Sequence, residues 1–146
     1  MRLQESKANC GPTALANALE AMGHVRSVGE LATACKTTAT SGTSPAGLVK
    51  AVVALKESCD LNDHIGIRAV RPELAIAQLH KALCAGRAAV LLVDADEHYV
   101  AAVGLLGEIY MLVDSADEAL LVACTEEELG AWWEGKGRYP YWGVVL

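Results

Sequence analysis

The stretch Gln4-Glu5-Ser6-Lys7-Ala8-Asn9-Cys10-Gly11-Pro12-Thr13 places a cysteine at the start of a segment with a helical pattern. Over residues 10–22, apolar side chains recur at steps of four and one, which gives one apolar stripe along a helix. Asn9 suits the N-cap of this helix, and Gly23 suits its end. A helix N-terminus carries a partial positive charge, which favours the thiolate form of Cys10. The stretch therefore predicts either a reactive Cys10 or a cysteine packed in the core on the helix stripe.

The remaining chain shows helical periodicity mainly in its first half and short apolar runs in its second half. Predicted helices cover Val28 to Cys35, Pro45 to about Lys56, and Pro72 to Ala85, with a loop from Lys36 to Ser44. Predicted strands cover His64 to Val70, Ala88 to Val93, Tyr99 to Leu106, Ile109 to Val113, Leu120 to Ala123 and Tyr141 to Leu146. Thr125 and Glu128 form a capping-box pattern that starts a further short helix. Short acidic or glycine turns separate the three central runs, so we expect adjacent antiparallel strands.

These elements indicate an α+β fold in one domain that spans residues 1–146. We expect an N-terminal helical lobe that carries Cys10, packed on a C-terminal antiparallel sheet that carries His98 and Asp114. The boundary between the two falls near residues 60–70. Trp132-Trp133 and the run from Tyr139 to Trp142 add aromatic rings that either pack in the core or line a groove, and packing is the favoured interpretation.

His98 and Asp114 lie at the same end of one predicted hairpin. His98 starts one strand and Asp114 ends its antiparallel partner, which brings the two residues together. Asp114 can then accept a hydrogen bond from the imidazole and fix the tautomer of a general base. The alternatives are a solvated hairpin histidine and an ordinary turn aspartate. Weaker rivals for the two roles are His24, His64 and His80, and the carboxylates of Asp94, Asp96 and Asp117.

Gln4 precedes the cysteine by six residues. Its side-chain NH₂ could donate to an oxyanion that develops at the thiol, with the backbone N–H of Cys10 as the second donor. A glutamine near an N-terminus is on its own an ordinary exposed residue. The functional interpretation of Gln4 therefore depends on its place before Cys10.

The composition argues against several classes of protein. A net charge of −6 and a pI near 5.1 argue against nucleic-acid binding, which needs clustered lysine and arginine. No apolar stretch approaches the roughly 18 residues of a membrane span, and no signal-peptide pattern is present, so we expect a cytoplasmic protein without a membrane segment. The five cysteines show neither a CxxC pair nor metal-ligand spacing. We therefore expect no disulfide framework and no zinc, with every cysteine except Cys10 a small buried hydrophobe.

The pattern resembles the bacteriocin-processing, double-glycine leader peptidases, a compact branch of the papain-like superfamily. The matching pieces are Gln4, Cys10-Gly11-Pro12-Thr13-Ala14-Leu15, His98-Tyr99-Val100, Val113-Asp114 and the tail from Tyr141 to Leu146. The resemblance implies a papain-like fold with Cys10 as nucleophile, His98 as base, Asp114 as orienter and Gln4 as oxyanion donor. Two positions depart from the family pattern. Asn9 stands where an aspartate is frequent, and Ser115 stands where a proline commonly follows the aspartate.

The function expected from these residues is that of a cysteine peptidase. Cys10 would attack a peptide carbonyl, form a thioester and release the product with water. The substrate would be a peptide or protein, and this chemistry needs no metal or organic cofactor. One alternative is an acyltransferase that uses the same thiol with an amine acceptor. The other is a peptide-binding module that does not catalyse.

Overall fold

The computed structural model describes residues 1–135 and 137–146. A 3₁₀ helix over Lys7–Asn9 leads into helix α1, and the helices are α1 (Cys10–Ala21), α2 (Val28–Cys35), α3 (Pro45–Ser58), α4 (Pro72–Cys84) and α5 (Glu126–Trp133). The strands are β1 (Ile65–Ile67), β2 (Ala89–Val93), β3 (His98–Leu106), β4 (Ile109–Val113), β5 (Leu121–Cys124) and β6 (Gly143–Val145). Among the helices of the described residues, none combines the length and apolar character needed to cross a membrane. The mixed α+β class predicted from the sequence is confirmed.

Side-chain caps explain where most of these helices begin. The hydroxyl of Ser27 accepts a hydrogen bond from the backbone of Glu30 at the start of α2, and Ser44 does the same for Gly47 in α3. The predicted capping box at Thr125 is present at the start of α5.

Asn9 occupies the expected N-cap position of α1, but its side chain makes no capping hydrogen bond. The preceding 3₁₀ helix is the reason. It delivers the chain to Asn9 at φ −93° and ψ 8°, whereas a capping residue normally has extended geometry.

The sheet has six strands in the order β1-β6-β2-β3-β4-β5, and every neighbouring pair is antiparallel. The predicted adjacent antiparallel strands β2, β3 and β4 are confirmed, and the short strand β5 pairs with β4. The closing strand β6 does not extend the sheet at an edge but inserts between β1 and β2. The strand predicted over residues 64–70 is shorter than expected, because only Gly143 to Val145 are available to pair with β1.

Helices cover both faces of this sheet. Val90 and Leu92 of β2 pack in the same core as α1, α2 and α3, whereas Leu91 and Val93 pack with α4 and α5. All five residues of β2 are therefore buried. Strands of antiparallel sheets commonly have one face exposed to solvent, and β2 has none. The predicted contact between an N-terminal helical lobe and the sheet is confirmed, and α4 and α5 form an additional layer on the reverse face.

Helix α1 is the element that brings the first part of the chain against the sheet. Every residue from Cys10 to Leu19 is buried, including Thr13 and Asn17, so the helix runs through the core instead of lying on its surface. Cys10 belongs to the same buried cluster as Tyr99 and Ala101 of β3. The start of α1 is therefore held against the start of β3.

Gly47 is expected to be required for the contact between α2 and α3. A Cβ atom at Gly47 would overlap the backbone carbonyl oxygen of Cys35, and backbone cannot move aside as a flexible side chain can. We predict that Gly47→Ala lowers the free energy of unfolding by about 1–3 kcal/mol, the usual cost of overpacking a core. Urea denaturation measures the change.

Gly29 provides a matched helical control, because a Cβ atom there would meet no heavy atom within 4 Å. Gly29→Ala should leave stability unchanged or raise it by up to about 1 kcal/mol, since alanine loses less backbone entropy than glycine. Equal changes of the same sign in both variants would contradict this account of the helix contact.

Candidate active site

Cys10 is the first residue of α1 and is only 8% exposed. Burial by itself raises the pKa of the thiol. Hydrogen bonds from His98 and from the backbone N–H of Tyr99, the charge of His98 and the backbone N–H of Gly11 act in the opposite direction. They outweigh the burial, so the pKa of Cys10 lies below its ordinary value. The site therefore favours a thiolate.

His98 is the first residue of β3 and joins the thiol to a carboxylate. Its Nε2 atom donates to Oδ1 of Asp114 at 2.7 Å, which leaves the other ring nitrogen for Cys10. Burial lowers the pKa of His98, but the hydrogen bonds and charges of Asp114 and Cys10 raise it overall to about 9. At neutral pH His98 is therefore an imidazolium that lies between the Asp114 carboxylate and a thiol whose pKa is lowered. This is the arrangement that favours a thiolate–imidazolium pair.

Asp114 follows the last residue of β4. The β3–β4 register sets Ala101 opposite Val113, and the contact between His98 and Asp114 predicted from that hairpin is present. Burial raises the pKa of Asp114, but hydrogen bonds from His98 and from the backbone N–H of Ala116 hold it below its ordinary value. The carboxylate is thus ionised and fixed in place by two donors.

Gln4 lies beside the same corner of the sheet. Its backbone N–H donates to the carbonyl oxygen of Ser115 at 3.0 Å, and its Oε1 accepts from the Ser115 hydroxyl at 2.8 Å. Asn17 of α1 anchors the preceding residues. Its amide accepts from the backbone N–H of Arg2 at 2.9 Å and donates to the Arg2 carbonyl at 3.1 Å. The N-terminal segment is therefore bound to both the helix layer and the sheet.

Two adjoining clefts open at this group of residues. The first, of about 720 Å³, is lined by Cys10, Tyr99, Tyr139 and the loop around Thr43. The second, of about 730 Å³, is lined by Gln4, His98, Asp114 and Trp132. Cys10 thus lies in the first cleft and His98 in the second. Lys7 and Glu97 line both clefts, so the two are adjacent.

The aromatic residues near the C-terminus divide between the core and the clefts. Trp133, Tyr141 and Trp142 are buried, as the favoured interpretation of the sequence expected. Trp132 and Tyr139 line the two clefts instead. The division arises because α5 turns one tryptophan of the adjacent pair into the core and leaves the other at its edge.

Loops on either side of the site are tied to the sheet. The Tyr99 hydroxyl donates to the carbonyl oxygen of Thr43 at 2.9 Å, which fixes the loop over the first cleft. In the turn before His98, Asp94, Ala95 and Asp96 have φ values of 54°, 56° and 69°. Three successive left-handed residues that are not glycine are strained, and the Trp132 indole holds the turn by donating to Asp94 at 2.9 Å.

Among the rival residues named from the sequence, Asp96 and Asp94 line the first and the second cleft, whereas His80 and Asp117 have other partners. His80 lies against the Tyr110 hydroxyl at 3.4 Å, and Asp117 accepts from the backbone N–H of Ala119 at 2.8 Å. Of the cysteines other than Cys10, Cys35, Cys59 and Cys124 are buried as expected. Cys84 is exposed at the end of α4, so its expected burial is wrong. Within residues 1–135 and 137–146, no group of three or more His, Cys, Asp and Glu residues could hold a metal ion.

Sequence reasoning missed three contributors: the backbone N–H of Tyr99, the Ser115 hydroxyl and the Asn17 amide. The first has no sequence signal, since every residue carries a backbone amide. Ser115 stands out in the sequence only as a departure from the family's proline, which gives no sign of a bond to Gln4. Asn17 did have a signal, because it is a polar residue in the midst of the apolar α1 segment and is fully buried.

The fold is similar to that of known papain-like peptidase domains. The peptidase domain of Streptococcus ComA, a bifunctional ABC transporter of a quorum-sensing pathway, has a TM-score of 0.72 and 18% identity, covering 99% of this chain and 94% of that domain. A double glycine motif protease from an AMS/PCAT transporter, solved in complex with the leader peptide, has a TM-score of 0.69 and 19% identity, covering 99% of this chain and 86% of that one. A protein described as a C39-like peptidase from Bacillus anthracis has a TM-score of 0.73 and 16% identity, covering 99% of this chain and 92% of that one.

These similarities show the fold, which is the papain-like fold predicted from the sequence. The model of the Peptidase_C39 like family matches residues 1–139, and the chain belongs to that family. A search of curated proteins found no match.

The Asp114 carboxylate is expected to be the main support of the charged imidazole. We predict that Asp114→Asn lowers the pKa of His98 from about 9 towards the ordinary value near 6.5, because burial alone disfavours the cation. NMR titration of the His98 ring measures the change.

Asp117→Asn is the matched control, because this carboxylate is in the same loop but hydrogen-bonds only to the backbone of Ala119 among the described residues. It should leave the His98 titration unchanged. A His98 pKa that stays near 9 in Asp114→Asn would show that the carboxylate does not govern the imidazole.

Proposed function

We propose that the chain is a cysteine peptidase that hydrolyses a peptide bond through a thioester on Cys10. The observation that carries this proposal is the continuous link from Cys10 through His98 to Asp114, with the pKa of the thiol lowered and that of the imidazole raised to about 9. A structural cysteine in an apolar core has the opposite environment. Cys35 illustrates it, since burial raises the pKa of that thiol to about 12.

In the first half of the proposed reaction, the Cys10 thiolate attacks the carbonyl carbon of the substrate. The new C–S bond moves an electron pair onto the carbonyl oxygen. The NH₂ of Gln4 and the backbone N–H of Cys10 donate to that oxyanion. When the oxyanion collapses, the C–N bond breaks and the His98 imidazolium gives its proton to the leaving amine. A thioester and a neutral imidazole remain.

In the second half, the neutral His98 takes a proton from water as the water oxygen attacks the thioester carbonyl. The same two donors stabilise the second oxyanion, and its collapse breaks the C–S bond. The carboxylic acid leaves, its proton is lost to solvent, and the thiolate–imidazolium pair is restored. Asp114 keeps the imidazole in place through both halves and stabilises its charged form.

The proposed reaction assigns the two clefts to the two sides of the scissile bond. The imidazolium protonates the leaving amine, so the leaving-group side of the substrate belongs in the cleft that His98 and Trp132 line. The acyl side then belongs in the cleft that contains Cys10 and Tyr139. Clefts open on both sides suit a peptide or protein chain. The leader peptide held by the AMS/PCAT protease supports this substrate class.

We propose that residues 1–146 act as one domain in the cytoplasm. Helices from both halves of the sequence pack on one continuous sheet, which supports the single domain. The cysteines of the chain are all free thiols, which suits a reducing compartment and an enzyme with a thiol nucleophile.

The first test of the proposal is the reactivity of Cys10. We predict that iodoacetamide alkylates Cys10 rapidly at pH values well below 8, and that His98→Ala slows this reaction by at least 10-fold near pH 6. The reason is that the imidazolium stabilises the thiolate. The rate is followed by mass spectrometry of the Cys10 peptide.

The exposed Cys84 in the same molecule serves as the internal reference, because it lies at the end of α4 on the opposite face of the sheet. His98→Ala should not alter its rate. If Cys10 reacts only at alkaline pH, and His98→Ala leaves its alkylation rate unchanged, His98 does not promote the thiolate. A peptide-binding module then becomes the better description.

The second test is hydrolysis itself. We predict that the chain cleaves members of a diverse peptide pool, and that Cys10→Ala abolishes cleavage whereas Cys84→Ser leaves it unchanged. Mass spectrometry identifies the new ends. Free carboxylic acids at the cleavage site indicate a peptidase. Products joined to an added amine, with no free acid, would contradict hydrolysis and indicate the acyltransferase alternative.

A further inference from the structure

We propose that Ser115 is a positioning residue that holds the Gln4 amide with its NH₂ directed to the reacting carbonyl. The inference rests on the proposed function, since it concerns the oxyanion donor of that reaction. Ser115 is only 2% exposed and follows Asp114 directly in the chain. Its hydroxyl donates to Oε1 of Gln4 at 2.8 Å, and its carbonyl oxygen accepts from the Gln4 backbone N–H at 3.0 Å. The two residues are therefore joined at both backbone and side chain.

A primary amide needs such a partner to act as an oxyanion donor. The two ends of the Gln4 side chain have nearly the same shape, so a half-turn about its last bond exchanges NH₂ for C=O. The NH₂ end stabilises a developing oxyanion, whereas the C=O end repels it. An amide without a fixed orientation would spend part of its time in the repulsive one.

The buried hydroxyl selects the productive orientation. With Oε1 towards Ser115, the O–H proton has an acceptor. With the amide reversed, the NH₂ would donate to the hydroxyl oxygen of Ser115. The O–H proton would then lose its acceptor, because Oε1 of Gln4 is the atom that accepts it among the described residues. A buried donor without an acceptor is costly. Among the described residues, none accepts a hydrogen bond from the Gln4 NH₂, which leaves both of its protons for a substrate.

The corner formed by Asp114 and Ser115 consequently positions both the proposed base and the proposed oxyanion donor. Asp114 holds the imidazole through its carboxylate, and Ser115 holds the oxyanion donor through its hydroxyl. The backbone N–H of Asp114 donates to the carbonyl of Leu120 at 2.8 Å, which fixes the corner to the chain that leads into β5. Adjacent residues on one rigid corner keep a constant separation between the base and the oxyanion donor.

The experiment compares two reactions of the same thiol, in a Cys84→Ser background that removes the exposed thiol. Acylation by p-nitrophenyl acetate forms a C–S bond, passes through an oxyanion and releases p-nitrophenolate as the C–O bond breaks. Alkylation by iodoacetamide forms the C–S bond and releases iodide without an oxyanion. An oxyanion-hole defect therefore slows the first reaction and spares the second. Stopped-flow absorbance gives the acylation rate, and mass spectrometry gives the alkylation rate of Cys10.

We expect Gln4→Ala to slow acylation by about 100-fold, the usual effect of losing one oxyanion donor. Ser115→Ala should slow it by about 10-fold, because the amide remains but loses its fixed orientation. The alkylation rate should not change in either variant, which also shows that the fold and the thiolate pair are intact. Ser115→Thr keeps the hydroxyl and should recover most of the acylation rate. In the double variant, Ser115→Ala should add nothing to Gln4→Ala, because Ser115 acts through Gln4.

Three results would overturn the inference. Wild-type acylation in Ser115→Ala would show that the hydroxyl is not needed. Equal slowing of acylation and alkylation would indicate a structural role only, as would a further loss when Ser115→Ala is added to Gln4→Ala. A wild-type chain whose Cys10 fails to react with iodoacetamide below pH 8 would instead remove the proposed function, and this inference with it.

Discussion

The hydrogen bond between His98 and Asp114 is the interaction on which the site depends. The His98 side chain is 13% exposed and that of Asp114 is 14%, so neither charge is well solvated and each stabilises the other. His98 lowers the pKa of the Cys10 thiol, and Asp114 in turn raises the pKa of His98. Removing one member of a buried ion pair typically costs about 3–5 kcal/mol, because the remaining charge is left without compensation. The β3–β4 hairpin, which brings the pair together, therefore also determines the electrostatics of the candidate site.

The second constraint is the burial of helix α1. Its first ten residues, Cys10 to Leu19, are all buried, so the helix cannot slide or rotate without disturbing the core. This fixes the thiol against the start of β3, where the backbone N–H of Tyr99 reaches it. Burial has an opposing effect, since it favours the neutral thiol. The site overcomes that effect with donors supplied by fixed backbone and by a charged side chain, none of which must reorganise when a substrate arrives.

The sequence predicts most of the local structure and the central pair of the site. Caps, apolar stripes and short turns predict the helices and the adjacent strands β2, β3 and β4, because these signals act between residues close in sequence. The insertion of β6 between β1 and β2, and the placement of α4 and α5 on the reverse face, depend on contacts between distant segments. The contact of His98 with Asp114 was predictable because one hairpin register determines it. The contact of Gln4 with Ser115 joins residues 111 positions apart and follows from no local pattern.

The N-terminal segment brings Gln4, the proposed oxyanion donor, to the candidate site. The position of Gln4 depends on both layers of the fold. Asn17 of α1 binds Arg2, and Ser115 at the sheet corner binds Gln4, so the segment spans the junction between helix and sheet. If the helix layer moved relative to the sheet, Cys10 would move away from His98, and the segment that carries Gln4 would lose its hydrogen bonds either to Asn17 or to Ser115. Gln4, the proposed oxyanion donor, is held from both layers only when the two layers are packed. The geometry proposed for oxyanion stabilisation is therefore complete only in the folded protein, where His98 also lies against Cys10.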